Sequence, residues 1–237
     1  MDHIKALTFD TGGTILDWYT GISTKLAEIG ARRGVEADWQ SLTAEYRIRS
    51  LLGMTGGDED FKPDFNIDDV HREQIESVIK EHGITSFTDD DYDEVRDAWH
   101  SLDCWPDVPS GLARLRTRFI VASFTILSTR LIVDTCKRSN IIWDTVIACE
   151  AIGHYKPRPQ AYRTAAQWLQ LEPSECLMVA AHGSDLAAAA AVGFSTAFIQ
   201  RPSEWGPAGE PDFMKSDQAF DYVASDFEDL ADQLNCR

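Results

Sequence analysis

Six short runs of the chain are apolar almost without interruption: IKALTF, RFIVASFT, DTVIAC, CLMVAA, STAFIQ and, more weakly, FDYVAS. A half-exposed strand alternates polar and apolar residues, whereas these runs fit strands covered on both faces, as in a parallel sheet. Between them the hydrophobic period lengthens to that of helices, over 108–116, 128–138, 159–169 and 185–192. The alternation predicts an α/β fold, a doubly wound parallel sheet assembled from βαβ units. Ligands of such sheets bind at the carboxyl ends of the strands.

One gap breaks the rhythm. The first strand ends at Asp10 and the next begins near Arg118, too far for a single crossover. The gap reads as helices. In GISTKLAEIGARRG the residues Ile22, Leu26 and Ile29 share a face and Gly34 supplies a stop. Further helical patterns cover 38–52, 66–82 and 90–102. The pattern therefore predicts a helical cap domain over 17–105, inserted into a core domain of 1–16 and 106–237 and lying over the end that carries Asp10. CWPDVPSGLARL is the expected return, stiffened by Pro106 and Pro109, with a helix starting after Pro109 or Ser110.

Composition narrows the classes. A chain of 237 residues that is 43% hydrophobic and holds seven tryptophans can bury a sizeable core. Its net charge of -17 repels phosphate backbones and anionic lipid, which argues against nucleic acid as a partner. A small anionic ligand would need local Arg, Lys and backbone N–H groups to overcome that field. No apolar run approaches membrane-span length, and the opening MDHIKALTFD has no signal-peptide pattern. The five cysteines, Cys104, Cys136, Cys149, Cys176 and Cys236, are scattered without C-x-x-C spacing. A zinc site or disulfide framework is therefore not expected, and reduced thiols in a cytoplasmic protein are. Cys149 and Cys176 read as core residues.

Four strand ends carry candidate chemistry. Asp10 is either a turn-capping residue or a carboxylate nucleophile, with Gly12 and Gly13 letting backbone N–H groups approach an anion and Thr14 orienting the carboxylate. Thr125 ends the second strand, and its hydroxyl either holds a substrate oxygen or is an ordinary strand residue. In HYKPRPQAY, Lys156 is forced extended by Pro157. It is a solvated loop lysine or a cation that keeps Asp10 ionised. In CLMVAAHGSDLAAAAAVGF, His182 follows the strand, while Ser184 and Asp185 open a helix that Asp185 could cap. In a doubly wound sheet these positions converge on one crevice.

The order Asp-x-x-x-Thr, Thr, Lys-Pro, Asp resembles the haloacid dehalogenase superfamily, whose fold is a Rossmann-like core with an inserted helical cap. TFDTGGTILDW, HYKPRPQAY, AAHGSDLAAAAAVG and QRPSEWGP are similar to type II 2-haloacid dehalogenases, particularly the branch with Ala-Ala-His at the fourth junction. Phosphatases of the superfamily carry a second Asp two residues after the nucleophile and a magnesium-binding acid on the fourth strand. Here those positions are Gly12 and Ala181. A halide leaves without a proton and a monocarboxylate needs no magnesium, so the resemblance implies catalysis without metal or cofactor.

The resemblance further implies that Asp10 displaces halide from a short 2-haloalkanoic acid and that water hydrolyses the resulting aspartyl ester to a 2-hydroxy acid. Arg47, with Arg49 as the alternative, would reach from the cap to the halogen or the carboxylate. Thr125 and the backbone at Thr11 and Gly12 would hold the carboxylate. Lys156 and Asp185 would orient and activate the water, with Tyr162 six residues after Lys156 and His182 as a further contact. Trp18 and Trp205 are either pocket walls or core. Two departures bear on turnover: Ile126 stands where the family has an amide that receives halide, and Ala180 where it has a serine. A magnesium-dependent phosphatase and a non-catalytic small-acid binding protein are the competing readings, and exposed cap helices offer a surface for a homodimer.

Overall fold

The computed structural model describes residues 3–55, 65–209 and 219–237. Each of the six apolar runs forms a strand: β1 (Ala6–Phe9), β2 (Ile120–Thr125), β3 (Thr145–Ala148), β4 (Cys176–Ala180), β5 (Ser195–Ile199) and β6 (Tyr222–Ala224). They make one parallel sheet in the order β3-β2-β1-β4-β5-β6. Because β1 lies between β2 and β4, the strand order reverses at its carboxyl end, where a crevice must open. All four β1 residues are fully buried, which explains their unbroken apolar character.

Among the described residues, four helices that pack on one another follow β1 before the return to the sheet: α1 (Trp18–Arg33), α2 (Trp39–Thr55), α3 (Ile67–Glu81) and α4 (Asp89–Ala98). In α1 the Asp17 carboxylate accepts the Thr20 N–H at 3.1 Å, Gly34 ends the helix in a left-handed conformation, and Ile22, Leu26 and Ile29 are fully buried. The remaining helices are α5 (Val108–Leu115), α6 (Thr129–Ser139), α7 (Cys149–Ile152), α8 (Pro159–Trp168), α9 (Gly183–Ala191) and α10 (Phe227–Gln233).

Two helix starts differ from expectation. Helix α5 begins at Val108, so Pro109 lies inside its first turn, where a missing N–H costs nothing. Helix α9 begins at Gly183, with His182 at the capping position and no side-chain cap bond. Asp185 thus lies inside the first turn and its carboxylate is free for other partners.

All five cysteines are unpaired, and burial pushes the thiols of Cys149 and Cys176 up to about 12, so neither is a nucleophile. Among the described residues no helix is long and apolar enough to cross a membrane.

Inside the helical segment, His71 stacks on Trp99 at 4.1 Å, and neither ring nitrogen has a hydrogen-bond partner. Burial, then the charges of Arg47 and His100, hold its pKa well below 6.5. A neutral imidazole in the fold and a protonated one in the unfolded chain make stability fall as pH drops below 6.5, by about 1.4 kcal/mol per pH unit until the folded pKa is reached. Urea melts of wild type and His71→Phe between pH 7 and 5 should show that slope for wild type and a flatter one for the variant.

Candidate active site

Asp10 extends β1 by one residue: its N–H donates to Val179 O at 3.0 Å, which fixes the carboxylate at the switch point. The residue is 6% exposed, so its charge must be compensated locally. Lys156 Nζ donates to Asp10 Oδ1 at 2.8 Å and to Asp185 Oδ2 at 2.7 Å. Thr14 Oγ1 donates to Asp10 Oδ2 at 2.8 Å and accepts the Ala181 N–H at 2.9 Å. His182 Nδ1 lies 3.1 Å from the same Oδ2.

Burial alone would raise the Asp10 pKa, but the Lys156 ammonium and the His182 ring overcome it and hold the carboxyl far below the usual carboxylate range. Burial likewise opposes charge on Lys156, yet the flanking Asp10 and Asp185 raise its pKa above the ordinary lysine value. Asp185 is held in turn by the Tyr162 hydroxyl, at 2.5 Å from Oδ1.

Glu204 completes the cluster, and the sequence reading did not single it out. It is 3% exposed, and its Oε1 lies 2.8 Å from His182 Nε2 and 3.1 Å from the Trp18 Nε1–H that donates to it. The signal that could have found it is its place in QRPSEWGP, an acid beside a tryptophan that packs edge-on to Trp18 at 4.9 Å. Glu204 also explains Gly13, whose φ is +90° and where a Cβ would overlap the Glu204 carboxylate.

A cavity of about 240 Å³ opens over Asp10, lined by Gly12, Arg47, Leu51, Ile126, Lys156, Pro157, His182, Ser184 and Asp185. Arg47 enters it from α2. Its guanidinium lies 5.0 Å from the Trp99 ring centre and 5.5 Å from that of Trp18. Nε and Nη1 are buried without a hydrogen-bond partner, and no carboxylate pairs with the group among the described residues. Burial lowers its pKa, against the attraction of Glu204 and Asp10. An enclosed cation with unused donors has the chemistry to hold a small anion.

Of the two arginines only Arg47 lines this cavity. Arg49 points the other way, pairing with Glu45 and with Glu81 at 2.8 Å. Arg49→Ala should leave steady-state turnover within about twofold of wild type, because such partly exposed pairs contribute little. Three other expected substrate contacts do not line the cavity as side chains. The Thr125 hydroxyl is fully buried, shared with Thr11 Oγ1 at 2.5 Å and accepting the Leu127 N–H at 3.0 Å. Tyr162 is spent on Asp185 and Thr14 on Asp10. Trp18 and Trp205 are buried: Trp18 packs against the Arg47 guanidinium and donates to Glu204, and Trp205 packs edge-on to Trp18.

The donor set does not suit magnesium. The ion would need a second carboxylate facing Asp10, but that place is taken by the Lys156 ammonium bridging Asp10 and Asp185, and Ala181 offers no oxygen ligand from its side chain.

Residues 4–193 match the family model of the haloacid dehalogenase-like hydrolases. The (S)-2-haloacid dehalogenase 1 of Pseudomonas sp. (strain CBS-3) is 28% identical over 206 residues, covering 85% of this chain and 86% of that protein. Among solved structures, a defluorinating L-2-haloacid dehalogenase has a TM-score of 0.88 at 38% identity, covering 98% of this chain and 96% of its own. A second L-2-haloacid dehalogenase has a TM-score of 0.87 at 31% identity, covering 98% and 99%.

Proposed function

Because the chain belongs to the haloacid dehalogenase-like hydrolases, we propose that it hydrolyses short 2-haloalkanoic acids to 2-hydroxy acids through an ester on Asp10. The single observation that carries this reading is Arg47, a buried cation without a counter-ion among the described residues, facing an ionised Asp10 across a cavity. In this reading residues 17–105 are the cap that brings Arg47 over the core of 1–16 and 106–237.

The substrate carboxylate binds at Arg47 and the Gly12 backbone, which presents C2 to Asp10. An Asp10 oxygen attacks C2, and the carbon–halogen pair leaves with the halide. Charge balance favours this step. Asp10, Asp185 and Glu204 offset Arg47, Lys156 and His182, so the monoanionic substrate leaves the site one negative charge in excess. Expelling halide removes that excess in a low-dielectric cavity. Water, oriented by Lys156 and Asp185, then attacks the ester at the Asp10 carboxyl carbon. Ile126 and Leu51 supply an apolar wall for the C2 substituent. The names of the relatives support the (S) enantiomer. The unpaired cysteines support a reducing, cytosolic setting.

Ion chromatography of released halide over haloacetates and racemic 2-halopropionates tests the reading. Turnover should consume half of a racemate and leave the (R) acid. Silence over the whole panel in folded protein would sink it.

A further inference from the structure

We infer that Thr14 and His182 together form the oxyanion site for hydrolysis of the Asp10 ester, with Glu204 as the positioning residue that fixes His182 as an imidazolium. The inference rests on the ester route proposed above. It begins from the unequal surroundings of the two Asp10 oxygens. Oδ2 receives two donors, Thr14 Oγ1 at 2.8 Å and His182 Nδ1 at 3.1 Å, whereas Oδ1 has Lys156 Nζ at 2.8 Å. Lys156 and His182 both line the cavity and Thr14 does not; with a single donor against two, Oδ1 keeps the freer lone pair and is the oxygen presented to substrate. Once Oδ1 is alkylated, Oδ2 becomes the ester carbonyl oxygen, already seated between two donors.

The direction of each hydrogen bond follows from its neighbours. Thr14 Oγ1 accepts the Ala181 N–H at 2.9 Å, which leaves its own hydrogen for Oδ2. Both nitrogens of His182 face carboxylates, Asp10 on one side and Glu204 at 2.8 Å on the other. Only a doubly protonated ring satisfies both. Burial works against that charge, but the two carboxylates outweigh it and raise the His182 pKa well above 6.5. Lys156, Asp185 and Arg47 complete the charged groups around the same cavity. Glu204 is itself held by Trp18 Nε1 at 3.1 Å, and the bare backbone of Gly13 lets it approach.

The step balances. Water oxygen bonds to the Asp10 carboxyl carbon, giving one proton to Asp185, and the carbonyl pair moves onto Oδ2. There Thr14 and the cationic His182 are in place for a full negative charge, so no reorganisation is needed as it develops. When the carbonyl re-forms, the bond from carbon to the substrate oxygen breaks. That oxygen takes the proton from Asp185 and leaves as the 2-hydroxy acid, and Asp10 loses the second water proton to solvent.

The test separates the two halves of the reaction. Rapid-quench halide measurement and intact-mass spectrometry are run on wild type, His182→Ala and Glu204→Gln with (S)-2-chloropropionate. His182→Ala should release one halide per enzyme within about tenfold of the wild-type rate. It should then stall with the ester trapped, its hydrolysis slowed on the order of 10²–10³-fold; the burst itself reports a folded site. Glu204→Gln should keep the burst but move the alkaline limb of ester hydrolysis down towards pH 6.5, because a neutral amide no longer holds the proton on His182. A His182→Ala enzyme that loses burst and turnover equally, or turns over without accumulating ester, would overturn the inference. So would a Glu204→Gln pH profile that matches wild type. A wild type that releases no halide would overturn the dehalogenase reading and this inference with it.

Discussion

Asparagine in place of Asp10 should reduce halide release by on the order of 10⁵-fold or more, the scale seen when the nucleophile of a covalent mechanism is removed. The amide is nearly isosteric and keeps an oxygen for Thr14, so geometry is largely retained. Its lone pair is delocalised and uncharged, however, and it cannot displace a halide. The variant should still fold. Lys156 retains Asp185 and His182 retains Glu204, so neither buried cation is stranded. The expected cost is about 1–3 kcal/mol, as for a lost buried charged hydrogen bond. Halide assays and urea melts on the same preparation check both parts. Single turnover of the wild type in heavy-oxygen water gives the complementary result: label should enter Asp10, read in a peptide spanning 6–25. Label in the product with none in Asp10 would mean direct attack by water, with Asp185 as its base.

The sheet was legible because its central strands are covered on both faces and so read as unbroken apolar runs, while the edge strand β6, with Val223 half exposed, gave only a weak one. Asp10, Lys156 and Asp185 were legible for a related reason: Asp10 follows β1, Lys156 lies in the connection from β3 to α8 and Asp185 in the first turn after β4, and such junctions converge at the carboxyl ends of the strands. Arg47 was only half legible. Two residues separate it from Arg49, about 200° around a helix, so one must face inward and the other outward. Which one does so depends on how α2 packs, and local sequence does not carry that. Glu204 was not legible as a site residue. It lies in RPSEWGP, whose proline, serine and glycine read as an exposed turn. The loop is drawn in by Trp205 packing against Trp18, a contact between residues far apart in the chain. The start of α9 was misjudged because Ser184 and Asp185 have the composition of a cap. Their position inside the first turn is what leaves Asp185 free to hold Lys156.

Installing aspartate at Gly12 should lower kcat/KM for haloacids by on the order of 10³-fold without creating a phosphatase. A Cβ placed on Gly12 comes 3.0 Å from Arg47 Nη2, so the new carboxylate is delivered onto the guanidinium. Arg47 is buried and pairs with no carboxylate among the described residues, and an aspartate there would supply a counter-ion permanently, at an effective concentration no free substrate can match. The substrate carboxylate would then meet a neutral pair and one carboxylate too many. A loss of about 4 kcal/mol, the scale of a buried charge deprived of its partner, corresponds to that factor. The same variant should remain silent towards aryl phosphates with or without magnesium, because Ala181 and the Lys156 bridge still deny the ion its second carboxylate. Haloacid kinetics and an aryl phosphate assay on Gly12→Asp decide the point. If haloacid turnover survives near the wild-type level, Arg47 is not where the substrate anion sits. On the proposed reading, a bare residue 12 beside Arg47 makes the two chemistries mutually exclusive: the space an acid would occupy in one is the space the substrate's own acid would occupy in the other.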